Sequence, residues 1–147
     1  MNDPAQSLKT LIESNWTLSS PSKNDITFRV GEPVNLAERF LKRNISIEFH
    51  RLRAVSQPRN KARTIIRELT PIHIWIRVTP ATEHGKESKQ TLRQAIIDHI
   101  KSIIKNNAES VTDIKYIYQG GDQHVDQLGD EPPVLHSVIN VVCLYWM

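Results

Sequence analysis

The chain has 147 residues, 24% of them charged and 39% apolar, with a net charge of +3; this suits one globular domain able to fold without metal or disulfide staples. Its one cysteine, Cys143, excludes an intrachain disulfide and a cysteine-cluster zinc site. No apolar run approaches the ~20 residues needed to cross a bilayer, and the N-terminus lacks the basic start and apolar core of a signal peptide, so the expectation is a protein made and assembled inside a cell.

Asp3-Pro4-Ala5-Gln6 reads as a helix start. Asp is a good N-cap, Pro suits the first helical position, and Gln6 is placed to complete a capping box. Leu8, Leu11 and Ile12 then form an apolar stripe that should fade by Ser14–Thr17, so residues 1–24 make a short N-terminal helix and loop. "DITFRVGEP" alternates through Ile26, Phe28 and Val30 and stops at Gly31 and Pro33, as a short strand does. "NLAERFLKR" fits a short helix capped by Asn35.

"NISIEFHRLRAV" and "TPIHIWIRVTP" alternate more clearly. Ile45, Ile47 and Phe49 oppose Ser46, Glu48 and His50; Ile72, Ile74, Ile76 and Val78 oppose His73, Trp75 and Arg77. Both read as strands with one face buried, joined in a long hairpin whose tip is basic. "GKESKQTLRQAIIDHIKSIIKNN" carries Leu92, Ile96, His99, Ile100, Ile103 and Ile104 on one face and Lys89, Arg93, Asp98, Lys101 and Lys105 on the other. It predicts the main helix, over 86–107. "VTDIKYIYQ" and "LHSVINVVCLYWM" predict a closing hairpin over 111–147, with "GGDQHVDQLGDEPP" as its loop. The last strand is apolar on both faces, as a central strand is. The expected fold is therefore one α+β domain: a mostly antiparallel sheet of about five strands, one long amphipathic helix packed across it and a short N-terminal helix.

Charge is unevenly placed. Residues 42–67 hold eight Lys/Arg against one Glu, and residues 109–131 hold six Asp/Glu against one Lys. Arg51, Arg53, Arg59, Lys61, Arg63 and Arg67 occur without an intervening acid and suit a phosphate backbone or an acidic protein partner. No aromatic residue is interleaved with them to stack on single-stranded bases. Asp122, Asp126, Asp130 and Glu131 form the acidic complement. With the two groups on opposite sides of the fold, copies would join head to tail, and a contact of that kind closes into a ring when the rotation permits.

The acidic stretch also offers His124 among hard oxygen ligands, but it lacks the glycine and glutamate positions of a calcium loop. No nucleophile elbow, His-Glu-x-x-His, phosphate-cradling loop or dinucleotide fingerprint is present. His50, His73 and His99 read as partly buried or surface histidines, and Cys143 as a core thiol. No catalytic, cofactor-binding or metal residue is assigned, and no cofactor is expected. A small hydrolase or metal-dependent enzyme using the His124 loop is the weakest of three readings.

The element order resembles the small ring-forming tail-terminator and tail-completion proteins of tailed viruses and proviruses. The resemblance covers residues 44–147 and includes "PIHIWIRVTP" leading into "KQTLRQAIIDHIKSII", and "GGDQHVDQLGDEPP" before "LHSVINVVCLYW". It implies a non-enzymatic subunit of a homo-oligomeric ring at a tail end or head–tail neck, assembled in the host cytoplasm. Its partners would be other copies, tail-tube or neck proteins, and double-stranded DNA passing through the ring. The insert-like "NLAERFLKR" and the length of the basic segment depart from the family's simplest pattern. The alternative is a small nucleic-acid-binding module using residues 51–67.

Overall fold

The computed structural model describes residues 3–19, 21–33, 39–40, 43–51, 53–58, 64–77, 85–111, 114–126 and 134–146. Helix α1 spans Pro4–Ser14, a 3-10 turn covers Lys23–Asp25, and strand β1 spans Ile26–Val30. Strands β2 (Ile45–Phe49), β3 (Arg53–Pro58) and β4 (Thr64–Arg77) follow. Helix α2 (Gly85–Asn106) leads to β5 (Tyr116–His124) and β6 (Val134–Trp146).

Asp3 caps α1 through Oδ1, which accepts from the Ala5 N–H at 3.1 Å. The reciprocal half of the capping box does not form: Gln6 Nε2 donates instead to Thr10 Oγ1, one turn on, at 3.4 Å. At the far end of α2, Asn107 donates from its amide side chain to the Ile103 carbonyl at 2.8 Å, which satisfies an orphan acceptor of the last turn. Most of the short helix expected at 35–43 lies outside the described residues.

The fold is α+β, with the strands ordered β1-β2-β4-β6-β5. β3 continues along the edge of β4 that β2 occupies, so six strands fill five positions. The hairpin is real and longer than its two alternating runs, because the segment between them is itself paired, Arg53 with Leu69 through Pro58 with Thr64.

Most pairings are antiparallel, but β1 and β2 are parallel, Ile26 opposite Ile45 and Val30 opposite Phe49. Hairpins therefore do not join all successive strands. The intervening residues 31–44 are long enough to return the chain to the start of β1, as a parallel pair requires. Gly31, at φ 77°, turns the chain out of β1 in a conformation that favours glycine. The last strand is central, between β4 and β5.

The core lies between the sheet and the two helices. Ile47, Phe49, Ile72, Ile74, Ile76, Leu135 and Ile139 from the sheet meet Leu8 and Ile12 of α1 and Ile96, Ile97 and Ile100 of α2. These side chains are fully buried, and each contributes about 2 kcal/mol by leaving water. Loop contacts fix α1 to α2. The Thr17 N–H donates to His99 Nε2 at 3.2 Å, and Trp16 packs edge-on against the same imidazole at 4.8 Å.

The opposite sheet face differs from expectation. Every residue of β2 is buried, Ser46 and Glu48 included. Trp75, His136, Val138 and Val142 are buried on that face too.

Candidate functional site: two charged ends and a buried polar face

The ends of the central strand pair carry the charge. β4 pairs with β6 from Ile65–Trp146 at one end to Arg77–Val134 at the other. The chain passes from β3 to β4 at the first end, between Pro58 and Thr64, where the sequence holds Arg59, Lys61 and Arg63. It passes from β5 to β6 at the second end, where the sequence holds Asp130 and Glu131. These five residues lie outside the described ones. β4 has 14 residues, so the two ends are roughly 40 Å apart.

Two members of the basic group have partners within the chain. Arg51 Nε donates to Glu68 Oε1 at 2.6 Å; Glu68 is fully buried, while Arg51 reaches solvent. That hydrogen bond and the carboxylate's charge hold the Arg51 pKa above its usual value. Arg67 is exposed and donates to the Tyr118 hydroxyl at 3.4 Å. Arg53 lies in β3 opposite Leu69.

Two of the acidic group are likewise engaged. Asp122 sits in β5, not in a loop, and pairs with Lys101 of α2 at 2.9 Å. Gly120 and Gly121 form no turn; the register shifts between Gln119 and Gly121, and pairing continues to His124 opposite Ser137. Such an irregularity re-aims the residues beyond it. Asp126 accepts from Arg93 at 2.6 Å and from the His136 N–H at 3.0 Å, clamping α2 to the start of β6. Arg93, expected on the polar face of the helix, is therefore buried. His124 Nδ1 is hydrogen-bonded to Ser137 Oγ at 2.8 Å.

The helix-free face holds a polar cluster whose members were read singly in the sequence. Glu48 receives Arg39 through Nε on Oε2 and through Nη2 on Oε1 at 2.9 Å, with Ser46 Oγ at 3.0 Å. Burial alone would raise the Glu48 pKa. Hydrogen bonds from His50, Arg39 and Ser46, with the Arg39 charge, prevail and bring it down to about 2. The Arg39 guanidinium also lies 3.9 Å above the Trp75 ring, an arrangement worth about 2 kcal/mol away from water.

The imidazoles continue this cluster across the strands. His50 stacks on His73 at 4.0 Å, and His136 stacks on Trp75 at 3.6 Å with the rings 7° from parallel. His73 Nδ1 and His136 Nε2 share a hydrogen bond of 2.8 Å. Both are held to a pKa of about 4, first by burial and then by neighbouring positive charge, from His50 at His73 and from Arg39 at His136. They are neutral at pH 7 while Glu48 is ionised. The strand alternation signalled a shared face for Glu48, His50, His73 and Trp75; His136 and Arg39 join it only through strand order and the turn at 39–40.

Among the described residues, no group of three or more His, Cys, Asp or Glu is arranged to hold a metal ion, and no helix is long and apolar enough to cross a membrane. Cys143 is buried beside Thr70, and burial raises its thiol pKa to about 12, far from the thiolate a nucleophile needs. No protein-family model and no curated protein matches this chain.

Proposed function

We propose that this chain is a non-enzymatic, ring-forming assembly subunit of a tailed virus or provirus, acting as a tail terminator or in tail completion at the head–tail neck. The observation that carries the reading is the placement of the two charge groups. The basic β3–β4 connection and the acidic β5–β6 connection leave opposite ends of the central strand pair, roughly 40 Å apart. The basic connection of one copy is complementary in charge to the acidic connection of another, which suits head-to-tail joining. The α+β element order supports the same reading. Such a ring would surround a DNA path, and tail-tube or neck proteins would meet its faces.

Solution mass by light scattering tests the proposal. A discrete oligomer is expected at low salt, falling apart at high salt as exposed charge pairs are screened. The triple reversal R59E/K61E/R63E should abolish it. A triple variant that assembles normally would refute the charge-directed ring.

A further inference from the structure

We infer that the half of the helix-free sheet face away from the Arg39 cluster is a platform for single-stranded nucleic acid, with Tyr116 and Tyr118 stacking on bases and Arg67 meeting a phosphate. The inference does not rest on the ring reading.

Strand register builds the platform. Tyr116 stands opposite Leu144, and Leu144 opposite Arg67. One step along, Tyr118 stands opposite Val142, and Val142 opposite Leu69. All six share the face of His73 and Trp75, because side chains two apart on a strand point the same way. Val142 is buried and Leu69 and Leu144 are half-buried, so they form the floor. Tyr116, 39% exposed, and Arg67 rise from it. β5 is the last strand of the sheet, so no further strand flanks the tyrosines on their outer side.

The two tyrosine rings lie 6.2 Å apart, tilted by 36°. That separation is close to two steps of a stacked strand, at about 3.4 Å each. Bases splayed from an unstacked strand therefore take one ring each. Arg67 Nε donates to the Tyr118 hydroxyl at 3.4 Å, which holds the guanidinium beside the ring and uses one of its five donors.

Charge selects a polyanion over a protein surface. Glu68 lies between Arg67 and Leu69 and so on the opposite face, where it is paired with Arg51; Asp122 is likewise paired with Lys101 of α2. Among the described residues, Arg67 has no carboxylate partner, and the two rows of the platform hold no acid. β3 continues the register with Arg53 opposite Leu69. The connection carrying Arg59, Lys61 and Arg63 leaves the sheet at this same end. That basic stretch has no aromatic residue of its own, and β5 supplies two beside it. Rings next to cations suit single strands, whose bases are open to stacking, and not a duplex, whose bases are stacked inside.

The experiment titrates the full-length chain into labelled oligo-dU and oligo-U of about ten nucleotides, a length one such surface spans, and into a duplex of equal length, at low salt, and reads fluorescence anisotropy. Saturable binding to single strands is expected, at least tenfold tighter than to the duplex. The two oligonucleotides differ only in the 2′-hydroxyl, so the tighter one identifies DNA or RNA as the source. Y116A should weaken binding about tenfold and Y116F should leave it unchanged, because stacking needs the ring and not the hydroxyl. R67Q should weaken binding and reduce the slope of log affinity against log salt by about 0.7. Unchanged thermal unfolding establishes that each variant folds. No binding to single strands, a duplex bound as tightly, or a Y116A variant equal to the wild type overturns the inference. Loss of self-association in Y116A, with no oligonucleotide bound by the wild type, overturns it too and assigns the face to a protein contact.

Discussion

Acidification should destabilise the folded chain through the histidine pair of the helix-free face. His73 and His136 have pKa values of about 4 in the folded chain, against an ordinary 6.5 once unfolded. Between those values the unfolded chain binds more protons than the folded one. The pair therefore leaves stability unaffected above about pH 6.5, lowers it as pH drops through the window, and adds no further change below about pH 4. At pH 5 one such histidine costs about 2 kcal/mol by linkage. Both rings are neutral in the folded chain at pH 5 and both are protonated once unfolded, so the pair together costs about 4 kcal/mol.

Urea unfolding followed by tryptophan fluorescence reads this directly, since Trp75 stacks on His136. A slope of about 2 kcal/mol per molar urea turns the loss into a midpoint lower by about 2 M at pH 5 than at pH 7.5. The H73Q/H136Q variant starts less stable but should show little of this change, which separates the pair from His50, His99 and His124. An unchanged wild-type midpoint, or the same drop in the double variant, would refute the assignment. Glu48 does not confuse the result. Its depressed pKa contributes stability that is lost only between about 4.5 and 2.

Two further outcomes follow from buried groups. E48Q leaves the Arg39 guanidinium, 7% exposed, with only the exposed Glu32 carboxylate at 3.9 Å and should cost about 3 kcal/mol in the same urea assay; a cost under about 1 kcal/mol would show that Glu32 or solvent takes over as partner. Cys143 should resist iodoacetamide at pH 8 in the native chain and react on unfolding in urea, because its thiol is buried with a pKa of about 12; rapid native labelling would place it in a more open setting.

Much of the architecture was legible because it rests on side-chain period. The alternation around Ile45–Phe49 and Ile72–Ile76, the stripe of α2 and the two-faced apolar pattern of the last strand each report local burial, which the sequence carries directly. Strand direction does not have that property. The pattern of β1 is the same whether it runs with β2 or against it, so the parallel pair was invisible. Gly120-Gly121 misled for a related reason: glycines suit a turn and an irregular strand equally well, and only pairing with β6 tells them apart.

The polar residues of the second face looked solvated because each was judged alone. Glu48 is buried in company with Ser46 and His50, two residues either side of it in the chain, and with Arg39, which comes from outside the strand and brings the counter-charge. Among the contact residues, Arg51 and Asp126 were legible as charges but not as members of internal pairs. Their partners, Glu68 and Arg93, are brought to them by strand register and helix packing.

The position of β6 carries a consequence for how the chain comes together in time. It follows the other five strands in sequence, yet it fills the middle of the sheet. While a ribosome is still making it, β4 has its 14-residue edge open and β5 has no neighbour to pair with. The pairing of Ile65 with Trp146 joins residues far apart along the chain, and such non-local closure is slow. The nascent protein thus spends its synthesis with an apolar strand edge uncovered, and the sheet is sealed by a late insertion between two waiting halves.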